Sequence, residues 1–202
     1  SCTFTRLKRP LRAVMSSKPK PLTPSIDTNA WYYFYNNGSI EAALLGTSLF
    51  SRNGTTGAVF LNGTQQLQAG NRWQFFPINS TFYTLRSDQG GPNAFVGTTY
   101  SSTESTAGST PPILWRGDVA DNSVYWTFRG WGDGTYALSN AANGSDWYLT
   151  RLASGLCAMD SNVTGVQGRK HWSVLPVDKI DDPKYSSVVV RIHTFFYTTE
   201  AY

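Results

Sequence analysis

One pattern of apolar runs occurs three times along this 202-residue chain. Each copy ends in a tryptophan run, and the three tryptophans, Trp73, Trp126 and Trp172, are 53 and 46 residues apart. A unit of this size cannot bury its apolar face alone, so repeated units must close around a shared core. The repeat therefore predicts a single domain made of three similar units, with one tryptophan of each unit in the core.

Each copy contains four short apolar runs separated by Gly, Asn and Ser, which favour turns. The turn GDGT at 132–135 joins two copies, and its glycines can adopt positive φ at little cost. Twelve short strands in three copies predict an all-β barrel or sandwich. The runs are WYYFYN, FYTLRS and TYALSN (from 31, 82 and 135), LLGT, FVGT and YLTR (from 44, 95 and 148), AVFL, PILW and LCAM (from 58, 112 and 156), and the tryptophan runs RWQFFPI, YWTFRGW and HWSVLPV.

The net charge of +4 is concentrated at one end of the chain. Residues 1–28 carry +5, whereas the rest of the chain carries −1. A phosphate-binding protein gathers its basic residues on a folded face, so we expect no nucleic-acid partner. We divide the chain into a basic, proline-containing leader at 1–28, the repeat domain at 29–178 and a C-terminal extension at 179–202.

The chain offers little for catalysis, metal binding or membrane insertion. Its two histidines, His171 and His193, are too few for a three-histidine metal site. No glycine-rich phosphate loop is present, and no apolar stretch approaches the roughly 20 residues that span a bilayer. We therefore expect no enzyme activity, no metal, no cofactor and no membrane span.

Six Asn-x-Ser/Thr sequons indicate an extracellular protein, because about two or three are expected by chance from the Asn, Ser and Thr content. Some of these asparagines also precede glycine and serve turns. The two cysteines, Cys2 and Cys157, allow one disulfide, and the sequence leaves open whether they pair. The predicted N-glycosylation sites are Asn37, Asn53, Asn62, Asn79, Asn143 and Asn162.

The end of the second copy and the third copy contain segments that resemble a known family. The segments at 125–150, 156–162 and 170–175, which include YWTFRGWGDGTYALSN and KHWSVL, follow the strand order of the ricin-type β-trefoil lectins. Residues 30–178 resemble that family as a whole. The resemblance implies a β-trefoil of twelve strands in three pseudo-repeats with terminal extensions, and a non-covalent function in binding glycans or glycoproteins.

The chain departs from the family at its signature positions. The family's Gln-x-Trp is replaced by Asn71-Arg72-Trp73, Val124-Tyr125-Trp126 and Lys170-His171-Trp172. The family's sugar-binding aspartate corresponds to Leu45, Val96 and Leu149, none of which can accept a hydrogen bond from a sugar hydroxyl. These changes favour a reduced or altered sugar site.

The resemblance still implies an aromatic platform at the end of the third run, at Phe60, Trp115 or Met159. Trp115 has the largest π-face, and Asp118, Asp121 and Asn122 follow it with polar groups. We therefore predict carbohydrate binding at Trp115, Asp118, Asp121 and Asn122, with Phe60 as a weaker position. A Trp115 that only packs under a loop is the alternative.

Two other functions remain open at this stage. A trefoil that has lost sugar binding could be a structural or self-assembling glycoprotein, with self-association through the strand-like segment 186–202. A trefoil protease inhibitor is the third alternative, with the polar segment 101–112 as its loop.

Overall fold

A computed structural model describes residues 18–21, 25–37, 42–50, 54, 56–63, 67–98, 110–116, 122–162 and 167–188. The described residues form thirteen β-strands connected by turns and short 3₁₀ segments. The strands β2 to β13 are the twelve that the repeat predicts, four in each copy. In chain order they are β1 (Lys20–Pro21), β2 (Ala30–Asn36), β3 (Ala42–Phe50), β4 (Thr56–Gly63), β5 (Trp73–Pro77), β6 (Tyr83–Ser87), β7 (Ala94–Thr98), β8 (Pro112–Arg116), β9 (Trp126–Gly130), β10 (Tyr136–Asn140), β11 (Tyr148–Arg151), β12 (Cys157–Asp160) and β13 (Trp172–Lys179).

Six strands close into an antiparallel barrel. The order is β2, β5, β6, β9, β10, β13 and back to β2, so each copy contributes its first and fourth strand. The second and third strands of each copy pair as the hairpins β3–β4, β7–β8 and β11–β12. A six-stranded barrel with three hairpins in pseudo-threefold order is a β-trefoil, which confirms the predicted fold class.

The three repeat tryptophans make equivalent hydrogen bonds in the core. Each stands at the start of a copy's last barrel strand, and each has no exposed surface. Its indole N–H donates to a carbonyl of the second strand of the same copy. The bonds run from Trp73 to Leu44 (2.9 Å), from Trp126 to Val96 (2.8 Å) and from Trp172 to Leu149 (2.8 Å).

Apolar side chains fill the barrel interior around these indoles. Phe34 stacks on Trp172 with ring centroids 4.8 Å apart, and Phe75 meets Phe128 edge to face at 5.1 Å. Inward positions alternate with outward ones along each barrel strand, as expected for a closed sheet. The glycines of the GDGT turn, Gly132 and Gly134, have φ of 88° and 85°, as the sequence predicts.

A buried arginine joins the described end of the chain to the barrel. Arg86 on β6 is only 1% exposed, and its guanidinium donates to the Gln74 side chain and to the carbonyls of Tyr185 and Ser187. Gln74 in turn donates to the carbonyls of Thr28 and Tyr185. Burial lowers the pKa of Arg86 to about 10, so it stays cationic at neutral pH.

The terminal segments are therefore partly integrated into the domain. Residues 18–21 of the predicted leader include β1, which pairs with β9. The predicted boundary after residue 178 falls within β13, and residues 180–188 continue along the barrel. Residues 1–17 and 189–202, including most of the strand-like segment 186–202, lie outside the described residues.

Replacing a core indole should lower the free energy of unfolding more than replacing a half-buried indole does. Trp126→Phe removes the bond to the Val96 carbonyl and leaves a small cavity, so we expect the free energy of unfolding to fall by about 2–4 kcal/mol. Trp115→Phe is the matched control, because the Trp115 N–H has no hydrogen-bond partner among the described residues. Urea denaturation measures both, and an equal or smaller cost at Trp126 would contradict the assigned core role.

Candidate functional site

The predicted platform Trp115 is half-buried on β8. Its pyrrole edge lies against Gly97 and Ser123, because a Cβ built on Gly97 would be 2.5 Å from Cδ1 of Trp115 and 2.5 Å from Oγ of Ser123. Its N–H is buried and so cannot reach a ligand. Asn122 is exposed at the start of the turn 122–124, whereas Asp118 and Asp121 lie outside the described residues. The binding role of these residues stays a prediction, and the described contacts of Trp115 are those of a packed side chain.

Strand pairing shows that Phe60, Trp115 and Met159 are not equivalent positions. The carbonyls bonded by the indoles belong to residues 44, 96 and 149, and their cross-strand partners are Leu61, Leu114 and Met159, respectively. Met159 thus belongs to the core, while Phe60 precedes and Trp115 follows the core position by one residue. A one-residue shift moves a side chain to the opposite face of a strand, so the sequence prediction had mixed two faces.

The same strand pairing corrects one of the three positions that the sequence resemblance matched to a sugar-binding aspartate. Leu44, not Leu45, matches Val96 and Leu149, because these three supply the carbonyls that the indoles bond. All three of these side chains are buried in the core. The outward neighbours on the same strands also lack carboxylates, so the described second strands hold no acidic group for a sugar.

The residue two places before each repeat tryptophan is buried in every copy, and in two copies it contacts the same position on the third strand. That position, one residue beyond the core position, is Asn62, Trp115 or Asp160. Asn71 exchanges two amide hydrogen bonds with Asn62, at 2.6 and 3.2 Å. Lys170 has its ammonium 3.9 Å from the Asp160 carboxylate. In the second copy both positions are non-ionic, Val124 and Trp115. In the first and third copies the changed triplet thus has a polar partner on the third strand.

A groove on the outer face of the barrel is a candidate site because polar, charged and aromatic side chains line it. It has a volume of about 300 Å³, at the lower end of the range for small-ligand pockets. We call it the β9–β10 groove. Its base is formed by outward side chains of β9 and β10, including Thr127, Arg129 and Ser139, and its walls are residues 81–82 and the turn 140–145.

Two asparagine-centred turns shape the walls of the β9–β10 groove. The Asn79 carboxamide oxygen accepts from the backbone N–H groups of Thr81 and Phe82, which fixes the first wall. The Asn140 carboxamide oxygen accepts from the N–H of Asn143, at 2.7 Å, and holds the second wall. Such Asx turns are built from local sequence, so both walls are held by short-range bonds.

The groove combines an aromatic ring, several hydroxyls and a cation. Phe82 is half-buried and packs against Tyr125, with ring centroids 6.2 Å apart. The hydroxyls of Thr127 and Ser139 lie 2.9 Å apart at the base. These two hydroxyls bond each other and Ser139 is only 2% exposed, so the hydroxyls that can meet a hydroxyl-rich ligand are those of the exposed Thr81 and Ser145 and the half-buried Thr127. The guanidinium of Arg129 supplies the charge.

Sequence analysis missed this groove entirely. Its residues come from two turns and two strands spread over residues 81–145, and no short motif unites them. The one available signal was the outward polar positions of β9 and β10, Thr127, Arg129 and Ser139, on strands whose inward positions are apolar.

A second polar cluster surrounds His171 beside the GDGT turn. The Nδ1 of His171 lies 2.8 Å from both the Asp133 carboxylate and the Thr135 hydroxyl, and its ring stacks on Trp131 at 4.6 Å. Burial would raise the pKa of Asp133, but hydrogen bonds from Thr135 and His171 outweigh it and lower the pKa. The bonds of this pair tie the GDGT turn to the residue before β13.

Other functional classes find little in the described part of the chain. No group of three His, Cys, Asp or Glu residues could hold a metal there, and no helix is long and apolar enough to cross a membrane. Cys157 is a free, buried thiol, and burial raises its pKa to about 12, so it is unreactive at neutral pH. Cys2, its candidate disulfide partner, lies outside the described residues.

The six sequons differ in accessibility. Asn37, Asn79 and Asn162 are exposed, and Asn53 lies outside the described residues. Asn62 is half-buried and its amide is bonded to Asn71. Asn143 is only 7% exposed and its Nδ2, the atom to which a glycan would be attached, is buried. The fold therefore argues against the predicted glycosylation of Asn143.

Comparison with known proteins identifies fold relatives. No protein-family model and no curated protein matches the chain. Among solved structures, a Polyporus squamosus lectin bound to Neu5Aca2-6Galb1-4GlcNAc matches 74% of this chain and 50% of its own, with a TM-score of 0.58 and 16% identity. The designed threefold protein ThreeFoil matches 73% of this chain and 99% of its own, with a TM-score of 0.56 and 17% identity.

An enzyme also contains a similar fold. The exo-β-1,3-galactanase 1,3Gal43A from Clostridium thermocellum matches 75% of this chain and 31% of its own, with a TM-score of 0.57 and 17% identity. The present chain thus spans half the length of the Polyporus lectin and less of the galactanase. These likenesses establish the β-trefoil fold, and function has to be argued from the site.

Secretion of the chain by a glycosylating eukaryotic cell would test the sequons. We expect a glycan on Asn79, because its side-chain oxygen fixes the turn while the residue stays exposed, and none on Asn143. Enzymatic deglycosylation followed by peptide mass spectrometry measures both sites. A glycan on Asn143 together with an unmodified Asn79 would contradict the buried environment of Asn143 and the exposed environment of Asn79.

Proposed function

We propose that this chain is a non-catalytic carbohydrate-binding module of a secreted or cell-surface glycoprotein. The observation that carries the proposal is the β9–β10 groove, which places an aromatic ring beside hydroxyls in a cavity large enough for a terminal sugar. Aromatic rings pack against the C–H face of a pyranose, while hydroxyls and amides bond its polar edge. The lectin among the fold relatives supports the proposal by analogy only.

The surface around Trp115 remains the second location for the same function. Trp115 keeps part of its surface exposed, Asn122 is exposed, and Asp118 and Asp121 lie between them in the sequence. We favour the β9–β10 groove because the Trp115 indole packs against Gly97 with its N–H buried. The two locations involve different side chains and are separable by mutation.

The other two functions rest on weaker observations. Loss of sugar binding, with a structural or self-assembling role, is favoured by the absence of acidic groups on the described second strands. The proposed self-association segment and most of the proposed inhibitory loop, residues 101–109, lie outside the described residues. Neither the structural role nor protease inhibition would account for the side chains that line the groove.

A glycan array probed with the folded chain tests the proposal. We expect at least one glycan to bind, and Phe82→Leu to weaken it about three- to tenfold, because the ring face is lost while apolar volume is kept. Trp115→Leu is the matched control and should leave affinity within twofold. Circular dichroism and thermal melting confirm that each variant is folded.

Two results would overturn this account. Loss of binding in Trp115→Leu with unchanged binding in Phe82→Leu would move the site to the Trp115 surface. A folded chain that binds no glycan on a broad array would reject carbohydrate recognition, and light scattering for self-association and a protease panel would then test the other two functions.

A further inference from the structure

We propose that the ligand of the β9–β10 groove is an anionic glycan, whose carboxylate or sulfate group binds the guanidinium of Arg129. This inference rests on the proposed carbohydrate-binding function and specifies its ligand class.

The guanidinium of Arg129 is the one charged group that lines the groove, and it has no hydrogen bond or ion pair with another described residue. Two other described arginines show what the fold does elsewhere. Arg72 pairs with two aspartates, and Arg86 is saturated by carbonyl and amide oxygens. None of the Arg129 nitrogens is among the buried polar atoms that lack a partner, so the guanidinium is open to an incoming acceptor group.

The backbone holds Arg129 in place from both sides. On one edge, residue 129 pairs with Ala137 of β10, and on the other with Pro21 of β1. A side chain on a strand fixed at both edges is better oriented for a ligand than one on a loop. The planar fork of arginine donates two parallel hydrogen bonds to a carboxylate, which favours this anion geometrically.

The surrounding charges also favour an anion. Burial is the main cause of the raised pKa of Tyr148. The charges of Asp146, Arg129 and Lys18 also act on this hydroxyl, so the three charged side chains lie near it. Asp146 is the acidic member of this group, and it forms an exposed ion pair with Lys18 at 3.3 Å. Arg129, Lys18 and Asp146 together carry a net charge of +1 beside the groove.

The other residues that line the groove favour a sugar over a small inorganic anion as its ligand. Thr127 lies on the base of the groove with Arg129, and Phe82 provides an apolar ring on one wall. A simple sulfate or phosphate would use the cation alone. An acidic sugar would use the cation, the hydroxyls and the ring together.

Matched pairs of ligands test the inference by isothermal titration calorimetry. One arm compares a uronic-acid oligosaccharide with its neutral parent, and the other compares a sulfated oligosaccharide with its desulfated form. We expect the anionic member of at least one pair to bind at least tenfold more tightly, with a preference that falls as salt rises. Inorganic sulfate alone should bind far more weakly.

Arginine variants assign the preference to the groove. Arg129→Gln should reduce affinity for the anionic ligand at least tenfold and affinity for the neutral parent less than twofold. The affinity of Arg129→Lys for the anionic ligand should lie between those of Arg129→Gln and the unmodified chain. Arg151→Gln is the control, since Arg151 also lacks an ion pair with a described residue but does not line the groove. It should change neither affinity by more than twofold.

The outcomes separate the two proposals. Equal binding of charged and neutral ligands, insensitive to Arg129→Gln, would overturn the anionic preference and leave carbohydrate binding intact. An equal loss in Arg151→Gln would show nonspecific electrostatics and overturn it too. Failure of every glycan to bind the folded chain would overturn both.

Discussion

The fold depends on one interaction made three times: an indole N–H on a barrel strand donating to a carbonyl on the hairpin of the same copy. Each indole fills core volume and also donates to a buried backbone carbonyl, and the Leu44 carbonyl accepts from Asn71 as well. These bonds join the closed barrel to the three hairpins. They also define which positions of the three copies are equivalent.

That internal symmetry leaves the outer surface free to differ between copies. The buried residue two places before each tryptophan is an asparagine, a valine or a lysine, and the third strand supplies a polar partner for the asparagine and the lysine. The β9–β10 groove likewise belongs to one junction, between the second and third copies. A rigid barrel with locally built turns can hold a specific surface site without a symmetric counterpart.

The sequence predicted the fold because the repeat tryptophans and apolar runs are strong, regularly spaced signals. It misplaced the third-strand register by one residue, since AVFL, PILW and LCAM are apolar on both faces and do not reveal which residue points inward. The groove could not be predicted, because Phe82 and Arg129 are 47 residues apart and meet only when the barrel closes. Burial of the Asn143 amide also follows from tertiary packing, which a sequon does not encode.

Hydrogen exchange of the tryptophan indoles tests the central interaction most directly. The chain has seven tryptophans, and ¹H–¹⁵N NMR in D₂O follows each indole N–H separately. The indoles of Trp73, Trp126 and Trp172 should all exchange at the rate of global unfolding, because no local opening frees a bond at the centre of the core. Rapid exchange at any one of the three, under conditions where the other two stay protected, would contradict the threefold account.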